Sequence, residues 1–142
     1  MKRASVKIQH IEHTADVGLK IFGDDLPSLF KHAAEGLFDI IANKDLVVPS
    51  ETINISLEST DRETLLLDWL SELNYIFLTR RFLFRDFEIK ALNDHSIHAA
   101  ATGEPLDLDR HEIYTEVKAV TYHALFVKET TAGFEAQVIF DL

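Results

Sequence analysis

The 142-residue chain has no cysteine, only five glycines and only three prolines. Absence of cysteine excludes disulfides and thiolate metal sites. Few Gly and Pro, with 46% apolar residues, exclude a linker-like or disordered chain and argue for a packed core. No apolar run reaches the ~20 residues that cross a bilayer. The opening Met1-Lys2-Arg3-Ala4-Ser5-Val6 carries no apolar stretch of the signal-peptide kind. A soluble, cytoplasmic protein without a membrane partner is therefore expected. Catalytic signatures are missing too. The chain has no Gly-rich phosphate loop, no G-x-S-x-G elbow and no H-E-x-x-H helix.

Positive charge is also scarce, with 14 Lys and Arg against 24 Asp and Glu and a net charge of −10. An acidic surface repels phosphate backbones, so no strong direct nucleic-acid binding is expected. A basic protein partner or a cation fits this charge better. Arg80, Arg81 and Arg85 are a local exception. They read as a solvated helix end, where cations are favoured.

One domain over residues 1–142 is expected at this length. Val6 to Ile11 reads as a strand, and Val17, Leu19 and Ile21 alternate in a second. Asp25 is a helix N-cap with Pro27 in the first turn. Leu26, Phe30, Ala33, Leu37 and Ile41 then form a helical stripe. Ile53, Ile55 and Leu57 mark a third strand. Thr60-Asp61-Arg62-Glu63 matches a capping box, with Thr60 as cap and Glu63 reaching back. A second helix follows to about Thr79, burying Leu66, Trp69, Leu70, Leu73, Ile76 and Phe77. Phe87–Ala91 and Ser96–Ala101 read as a hairpin across Asn93-Asp94. Glu104–Glu112 is polar and reads as a loop. Val117–Lys128 and Phe134–Phe140 form a last hairpin. The order favours an α+β fold, two helices packed on a largely antiparallel β-sheet.

Two distant polar knots stand out. His13-Thr14-Ala15-Asp16 lies between the first two strands, and Asp141-Leu142 follows the last. If the last strand is held in a sheet, Asp16, Asp141 and the carboxyl of Leu142 can meet as a hard-oxygen cation site. Spacing alone favours the plainer alternative, a turn cap at Asp16 and a solvated tail at Asp141. Of the seven histidines, the pairs His10/His13 and His95/His98 are three apart on expected strands, so neither pair chelates locally. His13 adjoins Asp16 and can orient its loop. Lys118 lies on an otherwise apolar strand. It reads as an edge gatekeeper, as a neutralising partner for an acidic site, or as a contact for another protein.

Several segments together resemble one known family. They are Glu12-His13-Thr14-Ala15-Asp16-Val17-Gly18, Gly23-Asp24-Asp25-Leu26, Asp68-Trp69-Leu70-Ser71-Glu72-Leu73, Gly103-Glu104, Val117-Lys118-Ala119-Val120-Thr121-Tyr122-His123 and Val138-Ile139-Phe140-Asp141-Leu142. In this order, across nearly the whole chain, they resemble the archeases. The resemblance implies a non-catalytic activator of an RtcB-type RNA ligase in tRNA splicing. That ligase forms a guanylylated histidine with GTP and manganese, and an archease promotes this step and multiple turnover. The resemblance also implies metal ligands at Asp16, Asp141 and Leu142, a bound divalent ion such as calcium, and an activating role for Lys118. Two other readings compete. One is a chaperone-like binding module for RNA-modification enzymes such as a tRNA methyltransferase. The other, less favoured, is a metal-dependent hydrolase.

Overall fold

Asp25 opens the first helix. Its backbone is extended and its carboxylate accepts from the Ser28 N–H at 2.8 Å, which satisfies one of the orphan donors of the first turn. Helix α1 (Leu26–Ile41) buries Leu29, Phe30, Ala33, Leu37, Phe38 and Ile41 along one face, as the stripe in the sequence requires. Gly36 sits where this helix crosses the sheet. A β-carbon there would lie 2.8 Å from Leu19 Cδ1, so a larger residue would push the helix outward.

The computed structural model describes residues 8–12 and 16–142, with side chains of 10–12 left aside. His13 lies outside the described residues, as do Val6 and Lys7 of the expected first strand. The strands are β1 (Ile8–Glu12), β2 (Asp16–Gly23), β3 (Glu51–Glu58), β4 (Phe82–Leu92), β5 (Ser96–Pro105), β6 (Ala119–Thr130) and β7 (Gly133–Asp141). Helix α2 spans Arg62–Arg80. All strand pairings are antiparallel, as expected, but they form two sheets, ordered β1-β2-β7-β6 and β3-β5-β4. The helices pack against both sheets and each other: α1 on β2 and β4, α2 on β6 and on β3, β4 and β5.

Helix α2 buries Leu65, Leu66, Leu67, Trp69, Leu70, Leu73, Asn74, Ile76 and Phe77. That arc is wider than the single stripe of a surface helix, because α2 has protein on several sides. Trp69 Nε1 donates to Phe30 O at 3.0 Å and ties the two helices together. Phe38 meets Phe77 and Phe84 edge-on, at ring distances of 6.4 and 5.6 Å, in the core between the layers.

Five local expectations are revised. Asp61, not Thr60, caps α2, accepting from Thr64 N–H at 2.7 Å. Glu63 does not reach back; its Oε2 takes the Val127 N–H of β6 at 3.2 Å. Glu104 and Pro105 belong to β5 rather than to a loop. His95 occupies the β4–β5 turn, and β6 begins at Ala119, two residues later than expected.

Candidate functional site

Three chain segments converge at one end of the four-stranded sheet. Asp16, the first residue of β2, pairs directly with Asp141, the last of β7. On its other side Asp141 pairs with Ala119, the first residue of β6. Lys118 precedes Ala119, and its N–H donates to Asp141 O at 2.7 Å. The alternation of β7 explains why Asp141 arrives where it does. Ala136, Val138 and Phe140 are fully buried, so the strand is fixed through its apolar face while Asp141 stays exposed on the other. Leu142 follows and packs, half-buried, against the core. Asp16, Asp141, Leu142 and Lys118, scattered through the sequence, thus lie together.

The electrostatics of this corner are unbalanced. Two carboxylates sit directly opposite each other across a strand pair, an arrangement that is destabilising without a counter-charge. Asp16 Oδ1 is buried and has no hydrogen-bond partner among the described residues. A buried carboxylate oxygen left unpaired carries a desolvation cost of ~1–3 kcal/mol or more. An oxygen-seeking cation removes both problems, and the donors here, carboxylates and main-chain oxygens, are of the type calcium and magnesium take. The residues present therefore fit a divalent metal. Among the described residues no three His, Asp or Glu side chains gather into a cation site; main-chain oxygens at this corner are further donors of the same hard type.

A second polar cluster holds the chain that leads into Lys118. Glu104, near the end of β5, is 7% exposed. Its Oε1 accepts from Arg110 Nη2 at 2.6 Å, and its Oε2 accepts from Val48 N–H at 2.6 Å. His111 Nδ1 accepts from the Asp107 N–H at 2.9 Å, so the ring carries its proton on Nε2 and donates it to Glu104 Oε2 at 2.9 Å. The Arg110 hydrogen bond, helped by the Val48 and His111 donors and opposed by burial, brings the Glu104 carboxyl down to about 2. Beyond this knot, Ile113 bridges to Ala42, and Tyr114 N–H donates to Ile41 O at 2.7 Å. The sequence reading missed this cluster. In the sequence Glu104, Arg110 and His111 read as parts of a polar loop, and Val48 lies 56 residues from Glu104.

Arg81, Arg85, His32 and His98 have structural roles. Arg81 pairs with Glu116 at 3.1 Å and lies 5.0 Å from the Phe77 ring; Arg85 donates to Val47 O at 3.0 Å. His32 Nδ1 donates to Phe22 O at 2.6 Å, and His98 Nδ1 bonds Ser56 Oγ at 2.7 Å.

The model of the Archease protein family (MTH1598/TM1083) matches residues 9–142. The chain belongs to the archease family. Archeases of Methanopyrus kandleri and Methanosarcina mazei are 40% identical over 137 residues and 36% identical over 140 residues. These matches cover 94% and 96% of this chain, and 98% and 96% of the relatives. The solution structure of Methanobacterium thermoautotrophicum protein 1598 superposes with a TM-score of 0.79 at 33% identity, covering 95% of this chain and 98% of that one. A Thermotoga maritima archease, named as a possible chaperone, shares the fold with a TM-score of 0.68 at 22% identity over 93% and 94% of the two chains. No helix among the described residues of this archease is long and apolar enough to cross a membrane.

Proposed function

We propose that this archease is a non-catalytic activator of an RtcB-type RNA ligase in tRNA splicing, acting in the cytoplasm by promoting ligase guanylylation and repeated turnover. The observation that carries the reading is the meeting of Asp16, Asp141 and Lys118 at one sheet corner, with the Asp16 Oδ1 buried and unpartnered among the described residues. A surface built only for solubility has no reason to press two aspartates together and bury one of their oxygens.

Asp16, Asp141 and the carboxylate of Leu142 would hold a divalent ion of the hard, oxygen-seeking kind, such as calcium. When bound, the ion supplies the positive charge that lets these carboxylates stay close. Asp16 and Asp141 do the holding, and the buried Phe140 keeps Asp141 in register. Lys118 projects from the same corner and meets the ligase. Activation requires that this surface bind the guanylylation-competent conformation of the ligase more tightly than the other conformation. The net charge of −10 favours a protein contact over a direct grip on the RNA.

A multiple-turnover ligation assay with a cognate ligase tests this. Product should exceed ligase severalfold only when the archease is added, and Asp16→Ala or Lys118→Ala should abolish the gain. Equal turnover with and without archease would end the proposal. The name of the Thermotoga relative favours a second reading, a chaperone-like module for RNA-modification enzymes. It predicts suppressed client aggregation with ligase guanylylation unchanged.

A further inference from the structure

The peptide unit between Val117 and Lys118 is gripped at both ends. Its N–H donates to Asp141 O at 2.7 Å. Its carbonyl accepts from Asn74 Nδ2 at 2.8 Å. Asn74 stands in the middle of α2 and is 4% exposed, and Val117 is fully buried. With both polar ends of one amide plane fixed and the preceding side chain locked in the core, the position of the Lys118 Cα, the root of its side chain, is fixed.

Asn74 is an expensive choice for this place. Its Oδ1 is buried without a partner among the described residues, so half of the amide is desolvated for nothing in return. Turning the amide over would put that oxygen against the Val117 carbonyl, so the Nδ2 bond sets its orientation. Leucine would fill similar space without that cost. Buried polar groups of this kind call for an explanation, and the Val117 carbonyl is what this one touches. Helix α2 also holds the far part of β6, where Glu63 Oε2 accepts the Val127 N–H at 3.2 Å. Between the two grips β6 departs from regular pairing, over Thr121 to Phe126. Without them, β6 and the Lys118 that precedes it would be held by β7 and by apolar packing on α2, with no polar grip from the helix.

We infer that Asn74 is a positioning residue: its hydrogen bond to the Val117 carbonyl aims Lys118 at the partner beside the Asp16–Asp141 pair. The inference rests on the activating role of Lys118 proposed above. It makes a distinction that a merely structural role does not. The Asp16–Asp141 register is set by the β2–β7 ladder, which Asn74 does not touch. Loss of the Asn74 bond should therefore uncouple activation from metal binding.

The test uses the full chain with Asn74→Leu, and Asn74→Ala should the leucine variant fail to fold. Three quantities are read for each: calcium affinity by titration, ligase activation at saturating archease, and hydrogen exchange at the Lys118 amide. One lost hydrogen bond corresponds to about tenfold. Activation should fall about tenfold and Lys118 exchange should rise about tenfold, with calcium affinity within about twofold of wild type and exchange at Gly18 and Ile139 unchanged. Wild-type activation in the variant overturns the inference, whatever the exchange does. So does a loss of activation that runs in parallel with a loss of calcium affinity. Wild-type protein that fails to activate, or Lys118→Ala that activates fully, refutes instead the reading of the site. In that case unchanged exchange at Lys118 still shows that Asn74 does not order this peptide.

Discussion

Replacing Asp16 with asparagine should change the stability of this archease in opposite directions with and without calcium. Without metal, the wild-type protein holds two aspartates directly opposite each other and leaves Asp16 Oδ1 buried and, among the described residues, unpaired. Asn removes one charge at constant shape, so the metal-free variant should match or exceed the wild type by about 1 kcal/mol. With metal the order reverses. Calcium at a hundred times its Kd adds about 2.7 kcal/mol to a protein that binds it only when folded. For 142 residues the unfolding entropy is about 0.3 kcal/mol/K, so wild-type Tm should rise about 9 °C. A ligand loss that weakens binding about a hundredfold leaves the variant roughly 0.4 kcal/mol, a rise of about 1 °C. Differential scanning calorimetry in chelator and in calcium, with magnesium as control, gives all four values. A calcium-dependent rise that survives in Asp16→Asn would refute the assignment of this carboxylate as a ligand, as would a wild-type Tm indifferent to calcium.

Three further outcomes follow from the fold. The Glu104 carboxyl lies near 2 when folded against 4.5 as its ordinary value. Its folded pKa is depressed, so the stability it contributes is fully present above about pH 5 and is lost as pH falls toward 2. Glu104→Gln should flatten this part of the acid-unfolding curve and cost about 1.5–3 kcal/mol at pH 7, read by urea titration. Gly103 has Leu83 O 1.8 Å from where a β-carbon would sit. Gly103→Ala should force β4 and β5 apart, costing about 3 kcal/mol or more and showing as low soluble yield and an early urea midpoint. Extending the chain beyond Leu142 by a short Gly-Ser tag turns its carboxylate into an amide. That should abolish the calcium-dependent Tm rise while leaving the metal-free Tm within about 1 °C, because Leu142 remains available to pack against the core.

Periodicity carried the parts of this fold that are local. The Leu26–Ile41 stripe and the Val138/Phe140 alternation each bury what they promise, because a helix or strand face is written within a few turns of chain. Cap identity was less legible: Thr60 and Asp61 are both good caps, and a one-residue shift separates them. The division into two sheets is not local at all, since β2 pairs with β7 from the opposite end of the chain. The same long pairing is what joins Asp16 to Asp141. Their meeting was legible only as a family pattern, whereas bare spacing favoured a capped turn and a solvated tail. The Glu104–His111 knot and the Asn74 contact left no trace in the pattern. Each depends on a buried main-chain partner far away in sequence, Val48 or Val117.

The central claim is that this protein speeds the guanylylation of a ligase rather than any later step. Incubating an RtcB-type ligase with labelled GTP and manganese, and counting the label held covalently on its histidine over time, addresses that step alone. The account predicts faster guanylylation with wild-type archease, and basal guanylylation with Asp16→Ala or Lys118→Ala. An unchanged rate of label uptake with wild-type protein, even alongside better ligation or less aggregation, would contradict it.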